Sequence, residues 1–210
     1  MTSLIVVDMQ YDFMPGGSLA VNEGDIIVPI VNEIYNYLSS SITVFTQDFH
    51  PSNHVSFHIN NPGSTIYKPW VLDSGVSQVM WPVHCVQGSD GAKLHSALNI
   101  KPTDKIFQKG TKQNCDSYSG FGSPNMIDEN TGLLDYLHSV SIKSVVVVGL
   151  ATDYCVKATA LHAKQYGFQV YLVLSACRGV DVDSTNKSIN EMKAAGVVIV
   201  NDLEHLKTLI

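Results

Sequence analysis

The sequence predicts an α/β fold of three layers, with a parallel six-stranded sheet between two layers of helices. Three observations carry that expectation. Short apolar β-branched runs recur along the chain, segments of helical periodicity alternate with them, and the connections are long enough for crossovers rather than hairpins. The run Ser144–Val148, SVVVV, is the plainest of these, since a strand that is apolar at successive positions is one buried on both faces. A chain of 210 residues with 45% hydrophobic content suits one domain, 1–210, with a sizeable core.

In chain order, Leu4–Val7 is the first strand and ends at Asp8. The following MQYDFMPGGSL has the glycine and proline punctuation of a loop. Apolar residues at Ile26, Ile27, Ile30, Val31, Ile34 and Leu38 give Asp25–Leu38 a helical period. Ile42–Thr46 is the next strand, and its edge is reached at Asp48. From about 48 to 104 the chain is irregular and rich in His, Pro, Ser, Asn and Gly, and so long a loop region in a compact domain points to function. A strand at Lys105–Gln108 ends at Lys109, and a second irregular stretch, Gly110–Asn125, leads to a helix near Leu133–Val140. After the strand that starts at Ser144 come a turn at Gly149-Leu150-Ala151 and a helix with small apolar residues at Val156, Ala160 and Ala163. Thr152 or Asp153 is placed to cap that helix. A strand at Gln169–Leu174, a helix at Asp183–Ala194 and a strand at Val197–Val200 complete the alternation.

A net charge of −6 with only 13 Lys plus Arg argues against nucleic acid or an anionic membrane as partner and leaves a small molecule. The start MTSLIVVDMQ lacks the basic region of a signal peptide, and no apolar run is long enough to span a membrane. The four cysteines, Cys85, Cys115, Cys155 and Cys177, are scattered without a CxxC pair, so neither a disulfide framework nor a cysteine metal site is expected. A reducing, cytoplasmic setting is the expectation.

Ligands of open α/β sheets bind beyond the carboxyl ends of the strands. The residues there are Asp8, Asp48, Lys109 and, after its turn, Cys155. Each alone has a plain structural reading: aspartates in turns, a solvated lysine, a small buried cysteine. Together they make a Cys-Asp-Lys nucleophile system suited to acyl transfer from an amide or ester. The cysteine, in the first turn of a helix, is favoured as thiolate; the aspartate moves a proton; the lysine supplies charge. Backbone N–H groups of the Leu150-Ala151-Thr152 turn and of Cys155 are placed to hold an oxyanion. A second cluster, Asp48-x-His50-x3-His54 with His84 further on, has the ligand types and spacing of a divalent transition-metal site with open positions. His58, His95, His138 and His162 show no such grouping.

The segments LIVVDMQYDFMPGGSLAV, TQDFHPSNHVSF, WPVHCVQGSDGAKLH, the KG of FQKG, SYSGF and GLATDYCVKATALHA closely resemble the nicotinamidase/pyrazinamidase branch of the isochorismatase-like cysteine hydrolases, nearly end to end. The resemblance implies a sheet of order 3-2-1-4-5-6, and Asp8, Lys109 and Cys155 as catalytic triad. It implies Ala151 and Cys155 as the oxyanion-holding amides next to a cis Leu150–Ala151 bond. Asp48, His50 and His84 match metal ligands, and His54 matches a histidine that is a ligand in some members only. Phe13 and Trp81 match the aromatics that sandwich a pyridine ring, and Tyr118 of SYSGF a substrate-side tyrosine. The implied activity is hydrolysis of nicotinamide to nicotinate and ammonia through a thioester, feeding NAD salvage, with pyrazinamide as a further substrate. One divalent metal is implied, zinc first, with iron or manganese as alternatives; a homo-oligomer stays open. Two other readings stand beside this one: an amidase of the same superfamily acting on a carbamoyl or ureido substrate, and a catalytically silent binding domain. A vinyl-ether hydrolase is disfavoured because that branch lacks the cysteine. Two stretches depart from the compact members, 56–80 and 112–117, and are expected at a rim or a subunit contact.

Overall fold

The computed structural model describes residues 1–123 and 130–210, so Pro124 and Asn125, the end of the second irregular stretch, lie outside the described residues. The strands are β1 (Thr2–Val7), β2 (Ile42–Asp48), β3 (Pro69–Val71), β4 (Ser77–Val79), β5 (Lys105–Lys109), β6 (Ser144–Leu150), β7 (Gln169–Arg178) and β8 (Val198–Val200). The helices are α1 (Ile27–Tyr37), α2 (Leu133–Ser139), α3 (Lys157–Gln165), α4 (Val182–Ala194) and α5 (Leu203–Lys207). Six strands form one parallel sheet in the order β5-β2-β1-β6-β7-β8. Counted among themselves these strands run 3-2-1-4-5-6, the expected order. The chain winds outward from β1 to β5 and then returns to lay β6 on the other side of β1. The strand order therefore reverses between β1 and β6, the place where such sheets bind ligands.

The uniform apolar runs follow from burial on both faces. Leu4, Val6, Val146 and Val148 point to one layer with Val28, Val31 and Ile34 of α1 and Leu206 of α5. Ile5, Val7, Val145 and Val147 point to the other, against Leu133 and Leu137 of α2, Ala160 and Ala163 of α3 and Met192 of α4. Burying each such side chain contributes roughly 1.5–3 kcal/mol. Among the described residues no helix is long and apolar enough to cross a membrane.

The structure departs from the sequence reading in four places. β7 continues past Leu174 to Arg178, because the β6–β7 register shifts between Val147 and Gly149 and lets Cys177 and Arg178 pair with Gly149 and Leu150. The 48–104 region holds a short helical turn at His58–Asn60 and the antiparallel pair β3–β4, which three-residue strands leave without a readable period. α5 is a five-residue helix, capped by the Asp202 side chain at 2.9 Å from the His205 N–H. Finally, neither Thr152 nor Asp153 caps the helix after β6. Thr152–Val156 is a π-helical turn with extended Ala151 before it and no side-chain cap. Asp153 instead accepts hydrogen bonds from the Val180 and Asp181 N–H groups at 3.0 and 3.2 Å and from the Ser184 hydroxyl, tying this turn to the start of α4. Gly149 just upstream has φ +117°, and a Cβ there would lie 2.2 Å from the Val7 carbonyl oxygen, so only glycine lets β6 close on the end of β1.

Candidate active site

The four strand-end groups meet beside the reversal point, with Asp48 of β2 joined to the other three through Lys109. Asp8 follows β1, Lys109 is the last residue of β5, and Cys155 lies in the π-helical turn after β6. All three are buried, Lys109 at 1% exposure, where an unpaired ammonium would be very costly. Its Nζ donates to Asp48 Oδ1, to the Ser117 carbonyl at 3.3 Å and to Cys155 Sγ at 3.3 Å, and it lies 2.9 Å from Asp8 Oδ2. Burial alone would strip the proton from Lys109, but the Asp48 and Asp8 carboxylates outweigh it and hold the ammonium charged well above its ordinary range. The Asp8 carboxyl is pushed above its usual value by burial and by Asp48, against the pull of Lys109 and the Thr46 hydroxyl.

The expectation of a resting thiolate is corrected here. Burial pushes the Cys155 thiol well up; Lys109 pulls the other way, while Asp8 and Asp48 add to the rise. The helix-start position is outweighed by removal from water and by two carboxylates nearby. A partner must therefore take the thiol proton. Carboxylate oxygens of Asp8 and Asp48 and the Cys155 sulfur lie within 4.8 Å of one another.

The Asp-His cluster assembles beside this one. Asp48 ends β2 and pairs in register with Lys109 across to β5. Its main chain is clamped by the buried Gln10 side chain, which accepts from the Asp48 N–H and donates to the Asp48 carbonyl, each at 2.8 Å. His50 and His84 each engage Nδ1 with a backbone carbonyl, Gly110 and Pro82 respectively, at 2.8 Å. Each Nε2 then faces Asp48 Oδ2, at 3.6 and 3.8 Å, too far for a hydrogen bond. Two imidazole nitrogens and a carboxylate oxygen that converge without bonding one another suit a divalent cation, and their ring orientation is fixed by the other nitrogen as ligating histidines require. Gly110 is needed for this: its φ is +60° and a Cβ would sit 2.3 Å from His50 Cε1. Burial would raise the Asp48 carboxyl, but Lys109, His50 and His84 together hold it far below the carboxylate range. Burial and the neighbouring His50 lower His84 to about 4, leaving it neutral and able to ligate, whereas Asp48 overcomes burial and raises His50.

His54 stacks on His50 with ring centroids 4.2 Å apart. Both its nitrogens are engaged, Nδ1 with the Ser56 hydroxyl at 2.7 Å and Nε2 with the Cys115 carbonyl at 3.1 Å. It braces His50, although His50, His54 and Asp116 also bring ligand atoms within 4.8 Å of one another.

A pocket enclosing about 440 Å³ of space, its open mouth included, joins the two clusters. Phe13 and Trp81 line it together with Cys155 and the three metal-type residues, and Ala151 and Tyr118 lie on its wall. The Trp81 indole N–H donates to the Tyr118 hydroxyl at 3.1 Å. The Leu150–Ala151 peptide is cis. The two departing stretches meet at this wall: Gln78 of β4 donates to Asp116 Oδ2 at 2.6 Å and to the Tyr118 hydroxyl at 3.3 Å. Of the two stretches, Asp116 lines the pocket, and Gln78 reaches it only through Asp116 and Tyr118.

Several participants escaped the sequence reading. Thr46 bonds the Asp8 carboxylate, Gln10 clamps Asp48, and Asp12 accepts from the Cys85 N–H at 2.6 Å, holding the His84 loop. Tyr154 packs edge-on against Trp81 with centroids 4.9 Å apart. Gln10 and Asp12 left a trace, as polar residues that alternate with Met9, Tyr11 and Phe13 just after Asp8; Tyr154 and Asp116 left none.

The isochorismatase domain matches residues 2–202. The chain belongs to the isochorismatase family. Within it, the chain is 42% identical to a nicotinamidase of Acinetobacter baylyi over 93% of its own length and 90% of the relative's. It superposes on the pyrazinamidase of Pyrococcus horikoshii in complex with zinc with a TM-score of 0.81, 38% identity and coverage of 95% and 98% of the two chains. The yeast nicotinamidase bound to the inhibitor nicotinaldehyde matches with a TM-score of 0.89, 32% identity and coverage of 96% and 100%.

Proposed function

We propose that this protein is a nicotinamidase, a metal-containing cysteine amidohydrolase that converts nicotinamide to nicotinate and ammonia and so serves NAD salvage. The observation that carries the reading is that Cys155 lines one pocket with Asp48, His50 and His84, and that the buried Lys109 ammonium links Cys155, Asp8 and Asp48. Relatives that are nicotinamidases over nearly the whole chain support it, as does a neighbour that holds nicotinaldehyde. The same reading takes 1–210 as one hydrolase domain, acting in a reducing cytoplasm that keeps all four cysteines as thiols.

In this reading the ring lies between Phe13 and Trp81, which brings the carboxamide carbon to Cys155. Asp8 takes the thiol proton, and the sulfur attacks the carbonyl carbon. The amides of Ala151 and Cys155 receive the oxyanion. As the C–N bond breaks, Asp8 returns the proton to the departing nitrogen, which leaves as ammonia, and a thioester remains. Water then attacks the thioester carbon while Asp8 accepts its proton; the C–S bond breaks, nicotinate forms, and the cysteine regains its proton. Lys109 keeps its charge throughout and steadies the carboxylate of Asp8 and the sulfur. Asp48, His50 and His84 would hold one divalent metal, zinc by preference with iron or manganese as alternatives, and when bound it would supply a fixed positive charge that binds and orients the ring nitrogen. The test is an ammonia-release assay with nicotinamide, pyrazinamide and a ureido amide, run with elemental analysis of the same sample. Turnover of nicotinamide by metal-bearing protein is expected; turnover of the ureido amide alone would replace the reading by another amidase of the family.

A further inference from the structure

Thr46 sits in β2, two residues before Asp48, fully buried, with no part in the chemistry above. Its hydroxyl accepts from the Asp8 N–H at 3.3 Å and lies 2.6 Å from Asp8 Oδ1. A hydroxyl has one proton, so here it goes to Oδ1. Lys109 carries three protons, and its aligned acceptors are Asp48 Oδ1, the Ser117 carbonyl and Cys155 Sγ. Asp8 Oδ2 is thus 2.9 Å from the ammonium nitrogen as an ion pair without an aligned hydrogen bond, and it is the one buried carboxylate oxygen among the described residues that no donor is aligned on. The two oxygens of one carboxylate are sorted: Oδ1 is occupied by a donor, and Oδ2 is drawn by charge but keeps its lone pairs.

We propose that Thr46 is a positioning residue that holds Asp8 by Oδ1 and so leaves Oδ2 as the atom that takes the proton from Cys155 and passes it on. The proposal rests on the nicotinamidase reading for its kinetics, but its first step, removal of the thiol proton, needs no substrate. Without the Thr46 hydroxyl the Asp8 carboxylate is free to turn about its Cα–Cβ and Cβ–Cγ bonds, and either oxygen reaches for a Lys109 proton. Fewer carboxylates then face the sulfur with a free lone pair.

The experiment compares Thr46→Val, which keeps the branched shape and loses the hydroxyl, with Thr46→Ser, which keeps the hydroxyl. Two readouts are taken on zinc-loaded protein: kcat and KM for nicotinamide, and the rate at which iodoacetamide alkylates Cys155 in the absence of substrate, followed by mass spectrometry of the Cys155 peptide. Losing one charge-assisted hydrogen bond predicts a fall of about 10- to 100-fold in kcat for Thr46→Val, with KM and zinc content unchanged. Alkylation of Cys155 slows in parallel, and Thr46→Ser restores both to within about threefold. If the valine variant loses its zinc or its fold, Thr46→Ala against Thr46→Ser gives the same comparison. A folded, zinc-bearing variant without the hydroxyl that matches wild type in both rates overturns the proposal, as does a slowed rate that serine fails to restore. Wild-type protein that leaves nicotinamide intact would sink the nicotinamidase reading alone, and the alkylation rates would still decide the part played by Thr46.

Discussion

The two halves of the pocket are built in different ways. Asp8, Lys109 and the turn bearing Cys155 hang directly on the ends of β1, β5 and β6, strands locked in register in the middle of the sheet or on its β2 flank. Of the other cluster only Asp48 has that support; His50 and His84 ride on the long loop region and are aimed by the carbonyls of Gly110 and Pro82. The sheet fixes the first half by backbone pairing, and the second by single hydrogen bonds and one glycine. The first half should therefore fail by loss of chemistry, and the second by loss of affinity and placement.

The largest effect is expected from Cys155→Ala. Ammonia release from nicotinamide should fall by roughly three orders of magnitude or more, as removal of a covalent nucleophile does, with metal content and melting temperature near wild type. Lys109→Met attacks the joint between the halves. It leaves Asp8 and Asp48 buried without their shared cation, which should abolish turnover and cost about 3–5 kcal/mol of stability in metal-free protein. Urea titrations with and without metal should show a smaller loss in the metal-bearing form, where Asp48 has a second positive partner. His84→Ala should reduce metal affinity and raise KM while leaving Cys155 open to alkylation, a separation that elemental analysis and alkylation rates read directly. The smallest change tests the weakest support: Gly110→Ala forces a Cβ into the His50 ring at a left-handed position. Metal affinity should drop about tenfold or more while the thiol's alkylation rate stays near wild type.

These differences also explain what could be read in the sequence. The sheet was legible because burial on both faces writes itself as unbroken apolar runs, as in Leu4–Val7 and Val145–Val148, and its strand ends carried the chemistry at Asp8, Asp48, Lys109 and Cys155. The far end of β7 was not legible: it follows from a register shift against β6, a pairing that Ser175–Arg178 do not announce. A helix start at Cys155 is visible in one stretch of chain, whereas the two carboxylates that join burial in opposing the thiolate come from the ends of two other strands, β1 and β2. Likewise Thr46 looks like any strand threonine until β1 and β2 are paired, when its hydroxyl falls against Asp8.

The central claim is that the two halves serve one reaction, and a metal titration of ammonia release tests it most directly. Metal-stripped protein is given increasing zinc at a fixed, subsaturating nicotinamide concentration, with bound metal and ammonia measured on the same samples. Turnover should rise in proportion to bound metal, level off at one ion per chain, and stay at background throughout for Cys155→Ala. Full turnover by metal-stripped protein, or turnover by the metal-loaded alanine variant, would contradict it.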